Sequence, residues 1–325
     1  MDHTYDIAII GGGPVGMFAA FYAGLRSADV LLLEGTAQLG GQPAALYQQK
    51  QIYDVAGFYA LNGRELTTAL TQQLARFQPD VRLNTRVSDF AKDGENITLN
   101  TNNGSFQARS VIIATGAGAF APRQLAASYD HALDGKRVFY TVPDLNAWTD
   151  QDVVIAGGGD TAIDWALALE PIARSVQLVH RRQQFRGLES SVQRLESSSV
   201  QLNTPYLIDH VDAADQGIDI ILKPVRGAEP RTLHADKLLV SYGFSSDNRQ
   251  LRAWNLELDH SQIVVDRSYR TNQELVYAIG DAITYPDKQK LIASGFGEAP
   301  SAVNSIMNAI HPERRQPLHS SQMNL

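Results

Sequence analysis

Three arginines and a histidine fall within the seven residues HRRQQFR, His180 to Arg186. Guanidinium groups so spaced pair bidentately with phosphate oxygens, which a carboxylate at the same place would repel. Two acids offer the opposite chemistry. Glu34 ends the apolar run VLLLE, and Asp281 follows another, VYAIGD. A carboxylate at a strand end can accept hydrogen bonds from sugar or polyol hydroxyls. Cysteine is missing altogether from the 325 residues. Its absence excludes disulfides, thiolate metal sites and any relay of electrons through a protein dithiol. Redox chemistry on this chain has to run on a bound cofactor, with no metal centre expected.

The arginine run stands where a βαβ unit would place it. Asp152 to Ala156 forms a strand, Gly157, Gly159 and Ala162 give GxGxxA spacing, and a helix follows over Thr161 to Leu169. The mouth of that helix, with Asp160 and Thr161, offers free N–H groups to a pyrophosphate. The second strand, Ser175 to Val179, runs straight into His180. In an NAD-binding unit this strand ends in an acid that holds the adenosine ribose. Here Arg181 and Arg182, supported by Arg186, select a 2′-phosphate instead, and the loop is expected to bind NADPH.

The chain opens on the same arrangement with the sign reversed. Tyr5 to Ile10 is a strand, Gly11, Gly13 and Gly16 supply GxGxxG, and Pro14 sits where a first-turn proline is tolerated. A helix through Arg26 leads to a strand over Val30 to Leu33 and to Glu34, about twenty residues past the loop. This loop suits FAD or NAD. Asp281 decides for FAD, because it can hold a ribityl chain and NAD has none.

The expected fold is therefore α/β, with two Rossmann-like dinucleotide-binding domains. IIATGA, ending at Ala117, and SYGF, Ser241 to Phe244, read as crossovers between them. An NADPH domain of residues 117–243 is thus inserted into a discontinuous FAD domain of residues 1–116 and 244–325, hinged at 114–117 and 241–244. Asn103-Gly104 and the segment RGAEPR mark hairpin turns. LIASGFGEAPSAVNSIMNAI reads as a glycine-rich stretch and then a helix, with Pro300 suited to its first turn. The polar tail HPERRQPLHSSQMNL reads as a frayed end.

Composition limits the partners. A hydrophobic share of 44% with 19% charged residues is that of a globular protein. The net charge of −7 argues against a general nucleic-acid binder. No apolar run reaches the roughly 18 residues of a membrane span, and MDHTYDIAII runs directly into a strand. The expectation is a cytoplasmic protein with no membrane or nucleic-acid partner.

Longer segments carry a resemblance. IIGGGPVGMFAAFYAG, LGGQPAALY, IYDVAGF, GGGDTAIDWALALEPIA, HRRQQFR, IASGFGEAPSAVN and QPLHSS resemble the ferredoxin–NADP+ reductases of the thioredoxin-reductase-like type, over essentially the whole chain. Low-molecular-weight thioredoxin reductases share the glycine loops but place a CxxC before the second one. YTVPD, Tyr140 to Asp144, stands there in this chain.

The resemblance implies FAD-mediated electron transfer between NADPH and ferredoxin or flavodoxin. It implies that Tyr47 stacks on one face of the isoalloxazine. His319, on the C-terminal extension of a homodimer partner, would cover the other face, so that hydride transfer is gated. It also implies FAD contacts for Gln42, Asp54, Val87 and Ser301, with Asp281 on the ribityl chain. An acidic acceptor would need a local basic patch, for which Arg123, Lys136, Arg137, Arg314 and Arg315 are candidates. Two other classes fit the residues: a general NADPH diaphorase without a protein partner, and a non-enzymatic NADP sensor lacking FAD.

Overall fold

From Ile7 to Ile10 every side chain is buried, as a parallel strand covered on both faces requires. This strand, Thr4–Ile10, is central to the first sheet. In the computed structural model, which describes residues 3–314 apart from Ala228 and Asn248, the chain forms two compact α/β units. One comprises Met1–Ala45, Gln51–Ala119 and the chain from Ser246 onward; the other comprises Leu46–Lys50 and Phe120–Ser245.

In the first unit, Thr4–Ile10 lies parallel between Val30–Leu33 and Gly104–Ile113. Asp80–Arg82 extends the sheet beyond Val30–Leu33. Gly104–Ile113 is shared along its far edge. Its first half pairs with the hairpin strand Asn96–Thr101, and its second half, from Val111, pairs in parallel with Val276–Ala278. That division carries the late Gly-Asp turn to the same sheet end as the glycine loop. Side-chain alternation splits the core in two. Ile7 and Ile9 face the helices Pro14–Leu25, Gly63–Ala75 and Ile292–Ile310, while Ala8 and Ile10 pack with Ile97, Leu99, Trp254 and Ile263. Asn62 and Glu65 close a reciprocal capping box on Gly63–Ala75.

The second unit repeats the plan. Its five-stranded parallel sheet runs in the order Val138–Phe139, Lys237–Val240, Asp152–Ala156, Ser175–Val179, Gln201–Asn203. A smaller sheet contains the antiparallel strands Tyr206–Ala213, Ile218–Pro224 and Arg231–Ala235, paired in that order.

The closing helix departs from the sequence expectation. It begins at Ile292, and Pro300 lies inside it rather than in its first turn. The glycines before Pro300 serve packing. A methyl group on Gly295 would overlap Val15 of the helix Pro14–Leu25. Small residues let two helices approach this closely, a need invisible without the partner helix.

Candidate nucleotide-binding sites

The first glycine loop rests on the end of Gly104–Ile113. Gly11 has φ +111°, and a Cβ there would meet the Ala114 carbonyl oxygen at 2.5 Å. A Cβ on Gly16 would overlap the Gly11 carbonyl, so strand and helix can meet at this angle only through glycine. Gly13 caps Pro14–Leu25 without a side-chain hydrogen bond, which leaves the helix mouth to a ligand. Glu34 is 8% exposed. It accepts the Gly12 N–H at 2.8 Å and both the N–H and hydroxyl of Thr36 at 2.8 Å. The acid is therefore seated on the first glycine loop. Gly40 donates its N–H to the Gly12 carbonyl at 2.8 Å, and this brings Gln42, on the short helix Gly41–Leu46, beside the same loop.

Asp281 reaches the site from the other end of the unit. Cβ positions built on Gly280 and on Gly295 both fall against Val15. The turn Gly280–Ala282, the first turn of Ile292–Ile310 and the mouth of Pro14–Leu25 therefore converge. The Asp281 carboxyl makes no side-chain hydrogen bond among the described residues. Burial raises it above the ordinary carboxylate range, with Lys288 and Lys290 opposing and Glu298 adding to the shift.

Three further residues are expected at the flavin. Asp54 is exposed on the loop after Gln51–Ile52. Val87 is 2% exposed and packs in the core, so a nucleotide could meet it only through its main chain. Ser301 is exposed nine residues beyond Ile292, in a polar groove with Ser268, Arg270 and Ser305. The free N–H groups of the helix lie at Ile292 and the residues just after it.

In the second unit, Gly159 caps Asp160–Leu169, again without a side-chain bond. The segment after His180 folds back over the loop: Arg186 donates its N–H to the Gly158 carbonyl at 2.7 Å, and Leu188 to the Asp160 carboxylate at 3.1 Å. His180 stacks on Phe185 with centroids 5.4 Å apart. Burial pulls its imidazole below the ordinary value; a hydrogen bond that the ring donates to the Gln184 main chain opposes the shift, and Arg181, Arg182 and Arg186 reinforce it. The positive charge at this strand end thus resides on the three arginines. All three are exposed, and none forms an ion pair among the described residues.

Both sites also hold an orphaned polar atom. Among the described residues, the buried side-chain atoms without a hydrogen-bond partner are Thr115 Oγ1 and His180 Nε2. Thr115 adjoins Gly11, and the His180 ring adjoins Gly158. Atoms left unpaired at these two loops fit dinucleotides that would complete them. Sequence reasoning missed Thr115, and also Glu298 and Lys288, whose burial no local pattern announces.

Tyr47 belongs with the second unit, although the sequence assigns residue 47 to the first. Its ring meets Phe244 edge-on at 6.1 Å, and the Lys50 ammonium lies 5.1 Å from its centroid. Lys50 is fixed by Asp164 at 2.6 Å, and Gln49 bonds to the Pro143 carbonyl and the Leu145 N–H. Burial pushes the Tyr47 phenol up, opposed by a hydrogen bond with Thr161. Of the basic candidates, Arg137 contacts Asp236 and Arg314 contacts Glu313. Arg123 and Lys136 are exposed. His319 and Arg315 lie outside the described residues.

Among curated proteins, the chain is 53% identical to a ferredoxin–NADP reductase of Lacticaseibacillus paracasei, covering 99% of both chains. It is 50% identical to ferredoxin–NADP reductase 2 of Latilactobacillus sakei, covering 99% of this chain and 98% of that one. Among solved structures, it resembles a thioredoxin reductase of Lactococcus lactis with a TM-score of 0.80 and 25% identity, covering 94% of this chain and 98% of that one. Residues 5–309 match the family described as pyridine nucleotide-disulphide oxidoreductase. With two glycine-loop units of opposite charge and a match along nearly its whole length, the chain belongs to the pyridine nucleotide-disulphide oxidoreductase family.

Proposed function

We propose that this protein is an FAD-dependent oxidoreductase that takes a hydride from NADPH and passes electrons to ferredoxin or flavodoxin. The carrying observation is the opposite charge at two strand ends, each following a glycine loop. The buried Glu34 carboxylate, seated on Gly12, suits a ribose without an added phosphate. The exposed Arg181, Arg182 and Arg186 suit a ribose that carries one. The named relatives, matched end to end, support the choice of acceptor.

Bound FAD supplies the conversion of a hydride's electron pair into single electrons. The chain's own residues bind and orient. In this reading the first unit holds FAD, with Glu34 and Thr115 at the adenosine and pyrophosphate end and Asp281 on the ribityl hydroxyls. The second unit holds NADPH through Gly157, Gly159, Thr161 and the arginines. Tyr47 supplies an aromatic face to the reacting rings, and His319 of a partner subunit covers the opposite face in a homodimer. Among the described residues, Arg123 and Lys136 are the candidates without an ion pair that would meet an acidic acceptor. The absence of cysteine removes any dithiol relay from the scheme.

The purified protein should be yellow and should bleach anaerobically with NADPH at far lower concentration than with NADH. Ferredoxin-dependent turnover should fall with salt more steeply than ferricyanide turnover, because protein docking is screened. A colourless protein that takes up no added FAD would end this reading. Equal salt dependence would leave a diaphorase without a protein partner.

A further inference from the structure

Glu298 is 1% exposed, on the face of Ile292–Ile310 turned into the first unit. One carboxylate oxygen accepts the Gly280 N–H at 2.6 Å; the other accepts the Tyr285 hydroxyl at 2.9 Å and the Lys288 ammonium. The ion pair is buried on both sides, with side chains 4% and 2% exposed. Burying two charges is costly, and such a pair stabilises a fold less than packed apolar groups would. What it supplies is geometry. It ties the main chain at Gly280, where φ is +75°, to the closing helix.

The adjoining residue shows what that geometry serves. Asp281 has no side-chain hydrogen bond among the described residues, whereas Glu298 next to it has three partners. Glu298 holds the turn, and among the described residues no protein donor competes with a ligand's hydroxyls for the Asp281 carboxylate. Resting on the FAD reading above, we propose that Glu298 is the positioning residue of the Gly280–Asp281 turn. It presents Asp281 to a polyol chain, and Lys288 compensates its charge.

Titration of the apoprotein with FAD, followed by flavin fluorescence, tests the assignment. Glu298→Gln leaves the Lys288 ammonium buried without its counter-charge, and the dissociation constant should rise about tenfold. Glu298→Gln with Lys288→Met removes both charges but keeps an acceptor for Gly280, and should return affinity to within about threefold of the parent. Glu298→Ala with Lys288→Met lacks that acceptor and should stay about tenfold weaker. Ile306→Val, a buried change on the same helix, should lower thermal stability without moving FAD affinity.

Amide exchange gives a readout that needs no FAD: the Gly280 N–H should lose protection in the Ala/Met pair and keep it in the Gln/Met pair. Parental FAD affinity in the Ala/Met pair overturns the proposal, as does equal weakening in Ile306→Val. A parent chain that binds no FAD overturns the functional reading instead.

Discussion

The His180 ring lies so close to Gly158 that a methyl group on that glycine would overlap the imidazole. The strand end and the glycine loop of the second unit are thereby one packed object, with the arginines projecting beyond it. Gly158→Ala should destabilise this unit by about 1–3 kcal/mol and weaken NADPH binding, while FAD content is retained. Calorimetry of the holoprotein, with NADPH titration, checks both.

Folding disfavours the His180 imidazolium, so the unfolded chain takes up that proton first. Stability from the neutral ring is present above its ordinary value of 6.5 and is lost as pH falls below it. Thermal midpoints from about pH 8 to about pH 5 should therefore fall less steeply in His180→Asn than in the parent. Parallel curves would remove His180 from the account.

Arg181 and Arg182 should set the choice of coenzyme. Each to Gln should weaken NADPH by about tenfold, the loss of a charge-assisted contact, and leave NADH nearly unchanged. The ratio of KM values measured with ferricyanide decides. An unaltered ratio in the double variant contradicts the 2′-phosphate assignment.

Asp281 trades stability for binding. Burial raises its carboxyl, so its protonated form is the one that folding favours. That contribution exists below the ordinary value of 3.8 and disappears as pH rises through the folded value. Near neutrality the ionised group works against folding. Asp281→Asn should raise the melting temperature of the apoprotein at neutral pH while weakening FAD by about tenfold. A lower melting temperature with unchanged FAD affinity would contradict both halves.

The closing helix depends on its contact with Val15. Gly295→Ala should cost about 1–3 kcal/mol through overpacking, and adding Val15→Ala should recover part of the loss. A double-mutant cycle from chemical unfolding measures the coupling. Strict additivity would mean that the helices separate rather than collide.

The sequence by itself determined the two βαβ units, the sign of charge at each second strand end and the exclusion of thiol chemistry. These are written in neighbouring residues: a strand's period, a glycine spacing, the acid Glu34 or the cation Arg181 that follows. Only the tertiary structure decided where the closing helix begins, because Gly295 is explained by Val15, nearly a whole chain away. It also decided that residues 46–50 join the second unit, through Lys50 on Asp164 and Tyr47 on Phe244. Glu298 looked like one more polar residue of a glycine-rich stretch until folding buried it against Gly280 and Lys288. Spacing along a chain fixes what lies a turn or a pleat away; burial and charge pairing depend on partners that only the finished fold brings into reach.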